Sequence, residues 1–189
     1  MQTIINQDGI VLYQKKYTDE LMENITKDII WRNDSITMFG KTYPQPRLTA
    51  WYGENNVIYT YSKIKMQALP WTPVLLKLKN SLETNLGAKF NSVLINYYRN
   101  GQDHMSYHSD NEKELGKNPV IASLSFGATR KFILKHRYIK TNPLVALDLE
   151  SQSLLVMSGE LQEFWQHKIA KSAKIQSSRL NLTFRYIYF

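Results

Sequence analysis

Residues 93–112 read VLINYYRNGQDHMSYHSDNE. The stretch opens as the end of an apolar, aromatic strand (FNSVLINYY, 90–98) and breaks at the turn signal RNGQD. It then runs into SYHSDNE, where His108 and Asp110 stand two residues apart with Asn111 and Glu112 directly behind. An extended backbone turns alternate side chains to one face, so His108 and Asp110 point the same way, and Asn96 and Tyr98 share a face upstream. Outward from this stretch, most of the chain has the same texture. VIASLSFGA (120–128), RKFILKH (130–136), VALDLE (145–150), SLLVMSG (153–159) and RLNLTFRYIYF (179–189) are short runs rich in β-branched and aromatic residues, separated by GKNP, KTNP and SGE. Two helices precede most of them. In YTDELMENITKDIIW (17–31), Thr18 or Asp19 is a candidate N-cap, and Leu21, Met22, Ile25 and Ile29 keep helical spacing. In WTPVLLKLKNSLETNLG (71–87), Thr72 caps, Pro73 suits the first helical position, Val74, Leu78, Leu82 and Leu86 form a stripe, and Gly87 terminates. Helices followed by a run of strands predict an α+β fold, with N-terminal helices packed on a β-sandwich or jelly roll.

The totals agree with one globular domain spanning 1–189. The chain has 189 residues, 43% of them apolar, with six Pro and eight Gly spread too thinly to mark a linker. Lysine and arginine outnumber acidic residues 24 to 16, and the resulting net charge of +8 favours a polyanionic partner. The absence of cysteine excludes disulfides and thiolate metal sites. No apolar run reaches the length of a membrane span, and the first residues carry no basic leader ahead of an apolar core. A cytoplasmic monomer with no membrane partner is the expectation.

In the last run, Arg179, Asn181, Thr183 and Arg185 fall on one face, with Leu180, Leu182 and Phe184 on the other. Two guanidinium groups with Asn and Thr between them suit a dicarboxylate, because each guanidinium pairs bidentately with a carboxylate. His108, Asp110 and the distant His167 supply two imidazoles and one carboxylate. That is the facial triad of non-haem Fe(II) oxygenases, which leaves positions open for co-substrate and oxygen. His104 and His136 have no comparable partner and read as structural or surface histidines.

Together, MFGKTYPQPRLTAWYG, YTYS, VLINYYRNGQDHMSYHSDNE, PVIASLSFGATRKF and RLNLTFR resemble the AlkB-type Fe(II)/2-oxoglutarate dioxygenases, from about Phe39 to Arg185. The likeness is closest to the branch repairing alkylated bases in double-stranded DNA. It implies a double-stranded β-helix with a nucleotide-recognition region at about 36–66. It implies Fe(II) on His108, Asp110 and His167, with Arg185 among the catalytic groups. It implies 2-oxoglutarate on Asn96, Tyr98, Arg179, Asn181, Thr183 and Arg185. With O2, such an enzyme oxidatively demethylates 1-methyladenine and 3-methylcytosine in DNA, releasing formaldehyde, succinate and CO2. Phe39 and Gly40 resemble the tip of a duplex-probing hairpin, with Phe39 as an intercalating wedge. Tyr59 and Tyr61 would face the flipped base, and Lys41, Arg47, Lys63, Lys65 and the run 130–140 are candidate phosphate contacts. Ser109 and Asn111 depart from the pattern, position 111 being where the resemblance implies an acidic residue that faces the base; with Glu112 they bear on substrate choice. The competing readings are the same chemistry on methylated RNA or a protein side chain, and a non-catalytic nucleic-acid-binding jelly roll.

Overall fold

The computed structural model describes residues 1–38, 41–55, 58–61 and 64–188. The chain begins with β1 (Gln2–Asn6), β2 (Ile10–Gln14), α1 (Met22–Thr26) and the hairpin β3 (Ser35–Met38) and β4 (Lys41–Pro44). Next come β5 (Leu48–Gly53), a second hairpin of β6 (Ile58–Tyr61) and β7 (Ile64–Gln67), the short β8 (Leu69–Pro70) and α2 (Pro73–Leu86). Then follow β9 (Ser92–Tyr98), β10 (Met105–His108), β11 (Ile121–Gly127), β12 (Arg130–His136), β13 (Val145–Leu149) and β14 (Ser153–Ser158). The chain ends with α3 (Leu161–Phe164), β15 (Trp165–Ile169) and β16 (Arg179–Arg185).

The strands form an eight-stranded sheet, β1-β2-β14-β11-β16-β9-β5-β8, and a four-stranded sheet, β10-β15-β12-β13. Alternation divides each central strand of the larger sheet between two layers. Leu180, Leu182 and Phe184 of β16, Val93 and Ile95 of β9, and Ala122, Leu124 and Phe126 of β11 pack with Leu75, Leu78 and Leu82 of α2. The other face meets the smaller sheet, where Tyr98, Ile121, Leu155 and Met157 join Phe132, Leu134, Leu149, Trp165 and Ile169. Both faces are covered, so β16 is buried at every residue, polar ones included. This is the sandwich with helices on one face that the strand pattern predicts.

The second helix forms as its sequence dictates: Thr72 Oγ1 accepts from Leu75 N, Pro73 opens the helix, and Gly87 closes it at φ 63°. Its buried row is Leu75, Leu78 and Leu82, with Val74 and Leu86 flanking it. The helix over 17–31 shrinks to five residues. Thr18 does not cap it; its hydroxyl accepts from Glu20 N in a local turn. Beyond Thr26 the backbone finds partners in β5, with Ile30 N donating to the Tyr52 hydroxyl and Arg32 bridging Thr49. Tertiary pairing overrides helical spacing there. The final strand stops at Arg185, because the amide side chain of Asn91 takes over the ladder and bonds both N and O of Ile187. Among the described residues, no helix is long and apolar enough to cross a membrane.

Candidate active site

β10 and β15 pair antiparallel with His108 directly opposite His167, which brings the two rings to 4.3 Å between centroids. Asp110, just past the end of β10, folds over them: its carboxylate oxygens lie 3.8 Å from His108 Nε2 and 4.0 Å from His167 Nε2. One ligand atom from each of the three falls within 4.8 Å of the others. The His108 Nδ1 N–H donates to Ser106 O at 2.9 Å, which leaves the Nε2 lone pair for the cluster. Burial and the neighbouring His108 hold His167 down to about 3, so its imidazole is neutral at pH 7. Burial opposes ionisation of Asp110, but Arg185, His167 and His108 outweigh it and hold the carboxyl well below its usual range. Two imidazoles beside one carboxylate are a donor set suited to a divalent cation.

The Asp110 loop is tied to the segment that carries His167. Asp110 N donates to Gln162 Oε1 at 2.9 Å, and Ser109 Oγ donates to Trp165 O at 2.8 Å. Gln162 is 3% exposed, so this contact is shielded from water. Ser109 thus has a positional role: it joins the two ligand-bearing strands.

The polar face of β16 comes to the same place. Arg185 Nη2 lies 3.0 Å from Asp110 Oδ1. Asn181 donates to Ser123 Oγ and Leu124 O, and accepts from Thr183 Oγ1 at 3.2 Å. Asn96 accepts from Arg47 Nε at 2.7 Å. Asn96, Tyr98, Asn181, Thr183 and Arg185 line one cavity with His108, Asp110 and His167. Arg179 stands beside this lining, 1% exposed, its guanidinium 5.3 Å from the centre of the Tyr98 ring. Its Nη2 donates to Ser125 Oγ at 2.8 Å, while Nε and Nη1 are buried without a hydrogen-bond partner among the described residues. Burial pushes this guanidinium down to about 10, with Tyr98 opposing and Arg130 adding to the fall. A buried cation with two donors unanswered fits a carboxylate, so the residues present suit 2-oxoglutarate as well as the metal.

Other assignments land elsewhere. Arg47 does not face solvent: it is 4% exposed and lines the cavity, which removes it from the phosphate contacts. Its strand signal was Arg47, Thr49 and Trp51 alternating with Leu48, Ala50 and Tyr52. In the run 130–140, Arg130 is also buried, donating to the carbonyls of Asn100, Asp103 and Ala170, and His136 bonds Asp8. Asn111 is exposed and lines a separate cavity with Arg137 and Gln162. Glu112 leads into a 3-10 turn, Lys113–Leu115, with Oε2 buried and without a hydrogen-bond partner among the described residues. Neither Asn111 nor Glu112 is in the lining of the His-Asp-His cavity. Lys41 pairs in register with Met38, Tyr59 with Met66, Tyr61 with Ile64 and Lys65 with Thr60, in the two small hairpins. Phe39, Gly40 and Lys63 lie outside the described residues.

Residues 10–185 match the model of the 2OG-Fe(II) oxygenase superfamily. The chain is 44% identical over 184 residues to alpha-ketoglutarate-dependent dioxygenase alkB homolog 3 of Homo sapiens, covering 92% of this chain and 63% of that protein. It is 35% identical over 186 residues to the DNA oxidative demethylase ALKBH2 of Homo sapiens, covering 94% of this chain and 71% of that protein. The chain therefore spans a little under two thirds of the first of these relatives. Among solved structures, OsALKBH1 superposes with a TM-score of 0.66 at 18% identity, over 96% of this chain and 98% of that one. That likeness gives the fold: a 2OG-Fe(II) oxygenase from Burkholderia pseudomallei shares it at a TM-score of 0.57 and 12% identity, over 88% of this chain and 76% of that one.

Proposed function

The chain belongs to the 2OG-Fe(II) oxygenase superfamily and, within it, to the AlkB-type dioxygenases, and from that premise we propose that it repairs DNA by removing methyl groups from 1-methyladenine and 3-methylcytosine. The observation that carries the reading is one cavity that joins the His108-Asp110-His167 cluster to Asn181, Thr183 and Arg185 of β16, with the half-answered guanidinium of Arg179 beside it. His108, Asp110 and His167 hold Fe(II). Arg179, with Asn96, Tyr98, Asn181 and Thr183, takes 2-oxoglutarate. Arg185 holds the Asp110 carboxylate in place from the same strand face. Bound there, Fe(II) with 2-oxoglutarate and O2 supplies the oxidation that turns an N-methyl group into N-hydroxymethyl, which falls apart to formaldehyde and the restored base, with succinate and CO2 as co-products. Leu94, Met105, Phe132 and Met157 give the cavity an apolar wall that limits water around the reacting groups.

A methylated base reaches this cavity only when it leaves its stack. Phe39 and Gly40, which follow β3 in the sequence, would serve as the wedge, with Lys41 contacting the nucleic-acid backbone and Tyr59 and Tyr61 the extruded base. The net charge of +8 supports a polyanionic substrate. Purified protein with Fe(II), ascorbate and 2-oxoglutarate is given oligonucleotides carrying either lesion, as duplex DNA, single-stranded DNA and RNA, and methyl loss is read by mass spectrometry. Demethylation that vanishes without 2-oxoglutarate supports the reading. Faster turnover on RNA than on either DNA would replace the substrate. Succinate formation with no demethylation would leave the oxygenase and remove the base.

A further inference from the structure

A second cavity, of about 470 Å³, is lined by Leu115, Val120, Tyr186, Tyr188, Lys89 and Lys117 among others, with no acidic residue in its lining. It shares no residue with the His-Asp-His cavity. Its size falls within the roughly 300–1,000 Å³ usual for ligand sites. The segment after β16 supplies the aromatic wall. Ile187 is fully buried with Trp51, Leu94 and Leu115, while Tyr186 and Tyr188 on either side of it are 40% and 60% exposed, their rings 4.9 Å apart. That exposure means the core does not need these rings, yet the backbone beneath them is fixed. The Asn91 side chain bonds both N and O of Ile187, and Tyr188 N donates to Glu114 O at 2.8 Å. Gly116, at φ 70°, seats the Tyr188 ring so closely that a Cβ there would stand 2.9 Å from Cε2. Lys117 has no ion-pair partner among the described residues. Lys89 reaches Glu83 at 3.4 Å, but Lys79 engages that same carboxylate at 3.1 Å, so the surplus charge is positive.

We propose that this cavity is a second nucleic-acid site, taking one nucleotide of a single strand with its base on the Tyr186 and Tyr188 rings and its phosphate on Lys117 and Lys89. This rests on the nucleic-acid reading above and goes beyond it, because the site lies apart from the base that reacts. A tyrosine face stacks on any base, and the lysines add the salt-dependent part of the affinity. Rings already held on a fixed backbone lose little freedom when a base arrives. Position favours a strand over an acidic peptide. The cavity shares Lys117, Asn118 and Pro119 with a neighbouring one that holds Asn111, the residue directly after Asp110. The loop between β10 and β11 thus carries the Asp110 carboxylate at one end and this cavity at the other.

The test is anisotropy of a fluorescein-labelled, unmethylated oligothymidine on the Mn(II)- and 2-oxoglutarate-loaded protein, across a series of NaCl concentrations. Tyr188→Ala should weaken binding about 5–100-fold, the cost of one lost stacking contact, and Tyr188→Phe should keep it. Lys117→Gln should flatten the slope of log affinity against log salt by roughly 0.7, the value for one phosphate on a single strand. Both side chains are exposed, so the variants should melt with wild type and lost binding is not lost folding. Wild-type affinity in Tyr188→Ala, or an unchanged slope in Lys117→Gln, overturns the site and leaves the enzyme reading standing. Phe as weak as Ala at 188 also overturns it, because the hydroxyl and not the ring would then make the contact. A glutamate–tyrosine copolymer that binds more tightly than the oligonucleotide, and loses that binding in Tyr188→Ala, would give the cavity to an acidic protein. Thymidine monophosphate matching the oligonucleotide in affinity, with the same loss in Tyr188→Ala, would give it to a free nucleotide. If wild type binds no oligonucleotide at all, this site and the nucleic-acid reading fall together.

Discussion

Replacing Arg179 with Met separates the cost of this arginine from its use. The guanidinium is 1% exposed, gives one hydrogen bond to Ser125 Oγ, and has two nitrogens without partners among the described residues. Burial, with Arg130 adding and Tyr98 opposing, brings it from 12.5 down to about 10, so the charge is held at a net cost on the order of a few kcal/mol. Removing it relieves that cost in the ligand-free protein, while the shorter Met leaves some packing unfilled. The ligand-free variant should therefore melt no lower than wild type. Its affinity for 2-oxoglutarate should collapse. Breaking a buried, hydrogen-bonded ion pair costs about 3–5 kcal/mol, which is a rise in Kd of at least about a hundredfold.

Thermal unfolding of the Mn(II)-loaded protein, with and without 2-oxoglutarate, reads both effects together. At a ligand concentration about a hundred times Kd, wild type gains about 2.7 kcal/mol, a shift of roughly 5–10 °C for a chain of this size. The variant, with Kd raised at least about a hundredfold, should gain no more than about 0.4 kcal/mol at the same concentration, a shift of at most about 1–2 °C. Arg179→Lys should fall between them, because it keeps the charge and loses the planar fork. A Met variant that melts several degrees lower yet keeps the wild-type 2-oxoglutarate shift would refute the reasoning, since Arg179 would then be a structural residue.

Three other outcomes follow from the geometry. Gln162→Leu removes the acceptor for Asp110 N and should weaken Mn(II) binding about 10–100-fold, with Gln162→Glu recovering much of it; equal affinities in all three, by titration of the Mn(II) EPR signal, would show that the contact is idle. His167 has a folded-state pKa near 3, below its ordinary 6.5, so the unfolded chain binds the extra proton; the metal-free protein should lose stability as pH falls from 6.5 towards 3, and a melting temperature flat across that window would contradict the buried neutral imidazole. Leu82→Ala, at a residue with no exposure between α2 and the larger sheet, should cost about 2–5 kcal/mol by urea unfolding, and a cost under 1 kcal/mol would mean the helix is not held by that row.

What the sequence disclosed was what local rules govern. The second helix carries its own cap, starting proline and terminating glycine, and it forms where those residues put it. The alternation of RLNLTFR predicts one polar and one apolar face, and the sheet places them so because strand geometry leaves no other choice. Local rules fail where a distant partner decides. The helix over 17–31 stops early because Ile30 and Arg32 pair with β5. The strand carrying His167 has only five residues and follows a four-residue helix, too little for any period to show. The contacts from Asp110 to Gln162 and from Ser109 to Trp165 span 52 and 56 residues, and nothing near either partner signals them.

The polar face of β16 is the part of the molecule that folding alone does not explain. Its apolar neighbours Leu180, Leu182 and Phe184 account for its place against α2. Arg179, Asn181, Thr183 and Arg185 point the other way, into a layer where Phe132, Leu134 and Leu149 fill the space a short distance off. Valine at 179, 181 and 183 would suit that layer and would carry no desolvation cost. Some of the polar groups do answer one another: Thr183 donates to Asn181, and Asn181 donates to Ser123. Arg179 is the member left half-answered, on the strand that also steadies Asp110 through Arg185. The sandwich thus packs one face of β16 for cohesion and, within the apolar layer on the other side, keeps a polar patch beside the His108-Asp110-His167 cluster, with an unanswered guanidinium that a carboxylate would complete.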